Sequence, residues 1–146
     1  MSEIPPISDF MAPHPYTIDL LETASTAEKV MNMHHVRHLP VVDGSAVVGI
    51  LSDRDIGLAR RLYKEHFDGT VLVKDICLFE SFTATESTPI TEVAKVMSDR
   101  RLEAVVVVRA HTPVGIFTTI DACRALATCW KDFAKGHRGF LSRLFG

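Results

Sequence analysis

Two hydroxyl–carboxylate pairs carry the clearest chemistry in this chain. Ser52 precedes Asp55 by three residues, and Thr118 precedes Asp121 by the same spacing. Each pair follows a glycine-containing apolar run, Val48-Gly49-Ile50-Leu51 or Val114-Gly115-Ile116-Phe117. At a strand end just before a helix, a hydroxyl and free backbone N–H groups can meet an anionic phosphate. A carboxylate in the first helical turn can accept hydrogen bonds from both hydroxyls of a ribose. The same residues also have a structural use. Ser52 and Thr118 can cap helices, while Asp55 and Asp121 complement the helix dipole. Two copies in like surroundings favour the ligand.

The pairs belong to an internal repeat with an offset of 66 residues and no gaps. Asp9 matches Asp75, Tyr16-Thr17 matches Phe82-Thr83, and Lys29-Val30-Met31 matches Lys95-Val96-Met97. Such repeats decide architecture. The chain divides into a first repeat (7–57), a joining helix or linker (58–72), a second repeat (73–126) and an amphipathic tail (127–146).

Each copy shows one order of elements. Ala27, Val30, Met31 and His34 fall at helical spacing behind Ser25 or Thr26 as cap. Val93, Val96 and Met97 do so behind Thr88-Pro89. Apolar runs at 39–42 and 46–51, split by Asp43-Gly44, predict a hairpin, and 104–108 with 114–118 repeat it. A second helix is expected from 53 to about 67, and from 119 to about 133. The fold class is therefore α/β (α+β in some schemes): two pseudo-symmetric β-α-β-β-α units packed through their sheets. A cleft between the halves would hold two related pockets.

Bulk properties narrow the function. Hydrophobic residues make up 47% of the 146, enough for one core or two small halves sharing one. A net charge of -2 argues against a nucleic-acid partner. Cys77, Cys123 and Cys129 have no metal-ligand spacing and read as reduced thiols. The first ten residues have no cationic start and no apolar run, so no signal peptide is expected. No stretch approaches a membrane span. A cytoplasmic protein is expected.

The run Leu39-Pro40-Val41-Val42-Asp43, followed by Val48-Gly49-Ile50-Leu51-Ser52-Asp53-Arg54-Asp55, resembles the signature of the CBS (cystathionine-β-synthase) domain. Gly115-Ile116-Phe117-Thr118-Thr119-Ile120-Asp121 resembles its closing part. The resemblance spans about residues 7–126 and implies a tandem CBS pair, or Bateman module. Such a module is regulatory and not an enzyme. It binds an adenosine-containing effector (AMP, ADP, ATP, S-adenosylmethionine or a cyclic dinucleotide), requires no cofactor, and signals to a regulated partner by conformational change.

The resemblance also implies pockets built from both repeats. One would join Thr118 and Asp121 to Thr17, Val36, Arg37 and His38. The other would join Ser52, Arg54 and Asp55 to Thr83, Leu102, Glu103 and Ala104. Arg37 suits a phosphate. Arg54 would counter one, but an inward Glu103 would repel it. Ile120 stands where a polar residue would help, so unequal filling is expected. Pairs of this family form homodimers through their helices, with Leu58, Leu62 and Leu126 as interface candidates.

Competing readings remain open. The chain can be a structural dimerisation or docking module with no physiological ligand. A metal- or redox-responsive module would use Cys77 or the cluster His34, His35 and His38, although those histidines diverge if a strand starts at the last of them; no metal is expected. No nucleophile has recognisable partners. The tail mixes Trp130, Phe133, Phe140, Leu141, Leu144 and Phe145 with Lys131, Lys135, Arg138 and Arg143. It reads as a docking segment, or as a helix extension packed on the body or across a dimer.

Overall fold

The computed structural model describes residues 3–136. In its first half, β1 (Ala12–Pro13) and β2 (Ile18–Asp19) lead into α1 (Ala24–His34). The hairpin β3 (His38–Asp43) and β4 (Ala46–Ser52) and then α2 (Asp53–Tyr63) follow. A kinked turn, α3 (Phe67–Thr70), with Gly69 at φ 86°, and the short helix α4 (Val73–Ile76) carry the chain across. The second half repeats the order with β5 (Leu78–Phe79), β6 (Thr83–Ala84), α5 (Ile90–Arg100), β7 (Ala104–Arg109), β8 (Thr112–Thr118) and α6 (Thr119–Gly136). The α/β class and the paired repeats are as expected. Each unit gains a two-residue leading strand, β1 or β5, that periodicity does not reveal.

Those leading strands exchange partners. One sheet runs β2-β3-β4-β5 and the other β1-β8-β7-β6. β1 of the first half therefore pairs with β8 of the second, through Ala12↔Ile116 and Pro13↔Gly115. β5 returns the favour on β4, through Ile50↔Leu78 and Gly49↔Phe79. Bridges Pro6↔Pro89 and Thr23↔Leu72 repeat the exchange. All these pairings obey the 66-residue offset read from the sequence. So do the bulges, between Val41 and Val42 and between Val107 and Val108.

Three apolar clusters follow from this layout. Leu39, Val41, Leu51, Ile56 and Phe67 anchor the first, under α1 and α2. Ile7, Val93, Val105, Val107 and Phe117 anchor the second, so the leading segment of the chain lies in the core of the other half. Ile50, Ala104 and Val106 form a third with Val47, Val108 and Ile116, where the two sheets meet. Complete burial of a side chain the size of Phe117 stabilises by about 2–3 kcal/mol.

Local chemistry sets the boundaries. α1 starts earlier than Ser25, because Thr23 Oγ1 accepts the Thr26 N–H at 3.1 Å. It ends where His35 turns to φ 54°, and α5 ends likewise at Arg101, φ 55°. α2 stops at Tyr63, short of residue 67, because Lys64 adopts φ 52° and a 3-10 turn follows. Phe67 is thereby freed to enter the first core. The first hairpin turns on Gly44 at φ 62°. The second lacks that glycine and places Ala110 and His111 at φ 47° and 66°. Its strand end is held instead by Arg109, whose guanidinium donates to both Glu86 carboxylate oxygens at 2.9 and 2.8 Å.

Candidate binding cleft

β4 delivers Ser52 and β8 delivers Thr118 to the N-termini of α2 and α6. Ser52 Oγ accepts the Asp55 N–H at 3.1 Å, and Asp55 Oδ2 accepts the Ser52 N–H at 2.9 Å. Thr118 and Asp121 make the same reciprocal pair, at 3.4 and 2.9 Å. The capping use is thus realised in both copies. Asp121 Oδ2 also accepts the Thr118 hydroxyl at 3.1 Å, and its Oδ1 accepts from Arg124 at 3.2 Å. Asp121 is 9% exposed, the buried acidic group of the described residues.

A cleft of about 740 Å³ opens beside the second of these helix starts. Val36, Arg37 and His38 line it from the approach to β3, and Thr118, Ile120 and Asp121 from the start of α6. The structure thus brings together five of the six residues expected in the first pocket. Thr17, the sixth, is exposed and outside the lining.

The second set is dispersed. Ser52 and Asp55 are engaged in their capping box and do not line the cleft. Leu102 packs on the second core, and Ala104 lies in the cluster between the sheets. Thr83 lines a separate depression of about 520 Å³ with Arg109 and His111. Arg54 and Glu103 instead meet in the main cleft, where Arg54 Nη2 donates to Glu103 Oε1 at 2.7 Å.

Sequence reasoning missed Arg61, Gly57 and Asp53, which also line the cleft. Arg54, Gly57 and Arg61 fall at i, i+3 and i+7, one face of α2. That spacing was the available signal. Arg37 and Arg61 are exposed and make no ion pair among the described residues.

His38 sits between the two walls. Its Nε2 lies 3.9 Å from Glu103 Oε2. Burial lowers its pKa below 6.5, while the charges of Glu103, Asp53 and Asp55 pull the other way. His38 therefore offers a neutral wall near pH 7. Burial pushes the Cys77 thiol up, away from the reactive thiolate. His34 stacks on Tyr16 with ring centroids 3.7 Å apart.

On the tail, α6 carries Trp130 and Phe133 in a stack at 5.5 Å. Phe140, Leu141, Leu144 and Phe145, with Arg138 and Arg143, lie outside the described residues. Among the described residues no helix is long and apolar enough to cross a membrane.

Two copies of one sheet-and-helix unit, exchanging leading strands around a shared cleft, define a tandem-repeat module. The family model of the CBS domain matches residues 7–59 and 73–128, and the chain belongs to that family. It is 26% identical over 115 residues to the CBS domain-containing protein YhcV of Bacillus subtilis, covering 79% of this chain and 81% of that one. It is 29% identical to the CBS domain pair of protein MJ0100, solved in complex with 5′-methylthioadenosine and S-adenosyl-L-methionine. That match has a TM-score of 0.76 and covers 86% of this chain and 98% of the other. CBSX2, solved in complex with AMP, shares the fold at 22% identity and a TM-score of 0.73, over 86% and 98% of the two chains. Three enzymes also match, but along only 13%, 21% and 23% of their own lengths.

Proposed function

We propose that this CBS pair is a regulatory module that holds an adenosine-containing ligand in the cleft and reports it to a protein partner. One observation carries the reading. A single cleft of about 740 Å³, in the size range of small-molecule pockets, gathers Val36, Arg37 and His38 from one repeat with Thr118 and Asp121 from the other. Asp121 would take the ribose hydroxyls. Thr118, the α6 N-terminus and Arg37 would take a phosphate or equivalent acid. Val36 and Ile116 offer apolar surface to the base. The Arg124 that holds Asp121 Oδ1 is 67% exposed, so a ribose can displace it cheaply. The adenosyl compounds bound by the MJ0100 pair support the ligand class.

The partner would read a change in the relative orientation of the repeats, to the extent that ligand binds one orientation better. Leu58, Leu62 and Leu126 are 55%, 70% and 67% exposed and would be covered in a homodimer working in the cytoplasm. The alternative, a dimerisation module without ligand, has one observation in its favour: both hydroxyl–carboxylate pairs are satisfied as helix caps.

A thermal-shift series separates the two. AMP, ADP, ATP, S-adenosylmethionine, NAD and cyclic di-AMP are tested on the wild type and on Asp121→Asn, whose amide oxygen still accepts the Thr118 N–H. A ligand at 100 times its Kd adds about 2.7 kcal/mol, or roughly 5–10 °C in a chain of this length. A shift in the wild type that the variant loses supports the sensor. No shift with any of the six leaves the dimerisation module.

A further inference from the structure

We propose that residues 137–146 fold back along α6 and cover an apolar face between α5 and α6. The repeat provides the template, because each position has a counterpart 66 residues away. In the first half the segment that follows α2 turns back at once. It carries Phe67, fully buried, into one cluster with Ala24, Ala27 and Met31 of α1. The Arg60 guanidinium lies 4.3 Å over the Phe67 ring and pairs with Glu28, so an ion pair closes the outside. In the second half α6 does not stop at Cys129, the counterpart of Tyr63, but runs on to Gly136. Phe133, the counterpart of Phe67, is 38% exposed, and among the described residues nothing beyond Ala125 joins the second core.

That face is apolar as well as open. Ile90 and Val93 stand where the first half has Ala24 and Ala27, and their larger side chains fill the inner part of the place that Phe67 takes. The outer part differs in kind. Ala94 is the counterpart of Glu28 and Leu126 the counterpart of Arg60, and both are exposed. Both members of the closing ion pair are thus alkyl groups here. A surface in water gains nothing from that exchange. A surface covered by apolar side chains does, because a buried charge is costly without its partner. Leu126, Trp130 and Phe133 continue the face along α6 at i, i+4 and i+7. The segment after Gly136 supplies the cover: Phe140, Leu141, Leu144 and Phe145, with Arg138 and Arg143 and no acidic residue. From Gly136 back to Leu126 is about 15 Å along the helix. An extended chain covers that distance in about five residues. Phe140 and Leu141 can therefore lie beside Trp130, and Leu144 and Phe145 can reach Ala94 and Leu126. Leu126 is also a candidate for contact with a second copy; the repeat points to the nearer occupant, and the two give different results below.

Hydrogen exchange read by mass spectrometry tests this on the full chain, with a synthetic peptide of residues 137–146 as the free reference. The amides of that segment are expected to exchange at least about tenfold slower in the protein than in the peptide, and equally so at every protein concentration. Ala94→Glu with Leu126→Arg copies the ion pair of the first half onto the face and should return the segment to the peptide's rate. Leu144→Asp, which leaves α5 and α6 unaltered and guards against misfolding, should do the same. Peptide rates in the wild type overturn the proposal, and so does protection that survives either variant. Protection that fades on dilution, in step with a fall from dimer to monomer mass by light scattering, gives the face to a second copy and overturns it as well.

Discussion

Alanine at the two equivalent glycines, Gly49 and Gly115, should have unequal effects despite their matching places in the repeat. Both lie where an exchanged strand crosses the hairpin of the other half. A Cβ at Gly49 would stand 2.4 Å from the Leu78 carbonyl oxygen, 3.2 Å from its carbon and 3.4 Å from Phe79 Cα. All three are backbone atoms of β5, so the strand itself must move. A Cβ at Gly115 would stand 2.3 Å from Met11 Sδ, with Cγ and Cε at 3.0 and 3.1 Å. Those atoms belong to a flexible side chain that can rotate away. Overpacking against fixed atoms costs about 1–3 kcal/mol. Neither glycine has a positive φ, so alanine recovers about 0.4–1 kcal/mol from the unfolded state in both. The net cost is about 1–2 kcal/mol for Gly49→Ala and close to zero for Gly115→Ala. In thermal unfolding that is roughly 3–6 °C against a degree or so. Amide exchange should show where the difference arises, since the Glu80 N–H donates to Val48 O at 3.3 Å and would open with β5. Equal losses in the two variants, or a larger loss at Gly115, would refute the close approach of β5 and with it the strand exchange.

Two further outcomes are expected. Ser52→Ala removes the acceptor for the Asp55 N–H in a half-buried capping box and should cost about 1 kcal/mol by urea denaturation; an unchanged midpoint would show that the box contributes nothing. His38 has a folded pKa below 6.5, so the unfolded chain takes up a proton first as pH falls. Its contribution to stability is complete above about pH 6.5 and is lost as pH drops through the lower folded value. His38→Gln should therefore flatten the decline between pH 7.5 and 5, and Glu103→Gln, which removes an attraction for the imidazolium, should steepen it; an identical slope in wild type and His38→Gln refutes the assignment.

The elements that the sequence revealed are those whose stability is local. α1, α5 and the two hairpins carry their own periodicity, and they form within a residue or so of where it places them. β1 and β5 escape because two residues show no alternation. Ala12 and Pro13 become a strand only through Ile116 and Gly115, about a hundred residues away. The second hairpin shows the limit from the other side. Its Asp-Gly signal is absent, yet the strands close at matching register, because Arg109 pairs with Glu86 and the turn accepts two left-handed non-glycine residues.

The site divides along the same line. Thr118 and Asp121 stand out in the sequence as a hydroxyl–carboxylate pair at a strand end. Thr17, Val36, Arg37 and His38 were placed beside them by resemblance, and of these four the structure leaves Thr17 exposed and outside the cleft lining. Arg61 went unnoticed because its helix face was known to matter only once the cleft existed.

An asymmetry of charge could be suspected from the sequence alone, since Glu103 stands where the first repeat has Arg37. The Arg54–Glu103 contact could not, because nothing local to either residue brings them together. The two repeats share the same elements, and the exchanged strands hold them in matching register. Under that constraint the backbone cannot distinguish the two walls of the cleft, and any difference must reside in side chains that do not bear on folding. Positions 37, 54, 103 and 120 meet that condition: all four are exposed. A symmetric scaffold can therefore carry an asymmetric charge pattern at its rim, at little cost to the cores that keep its two halves alike.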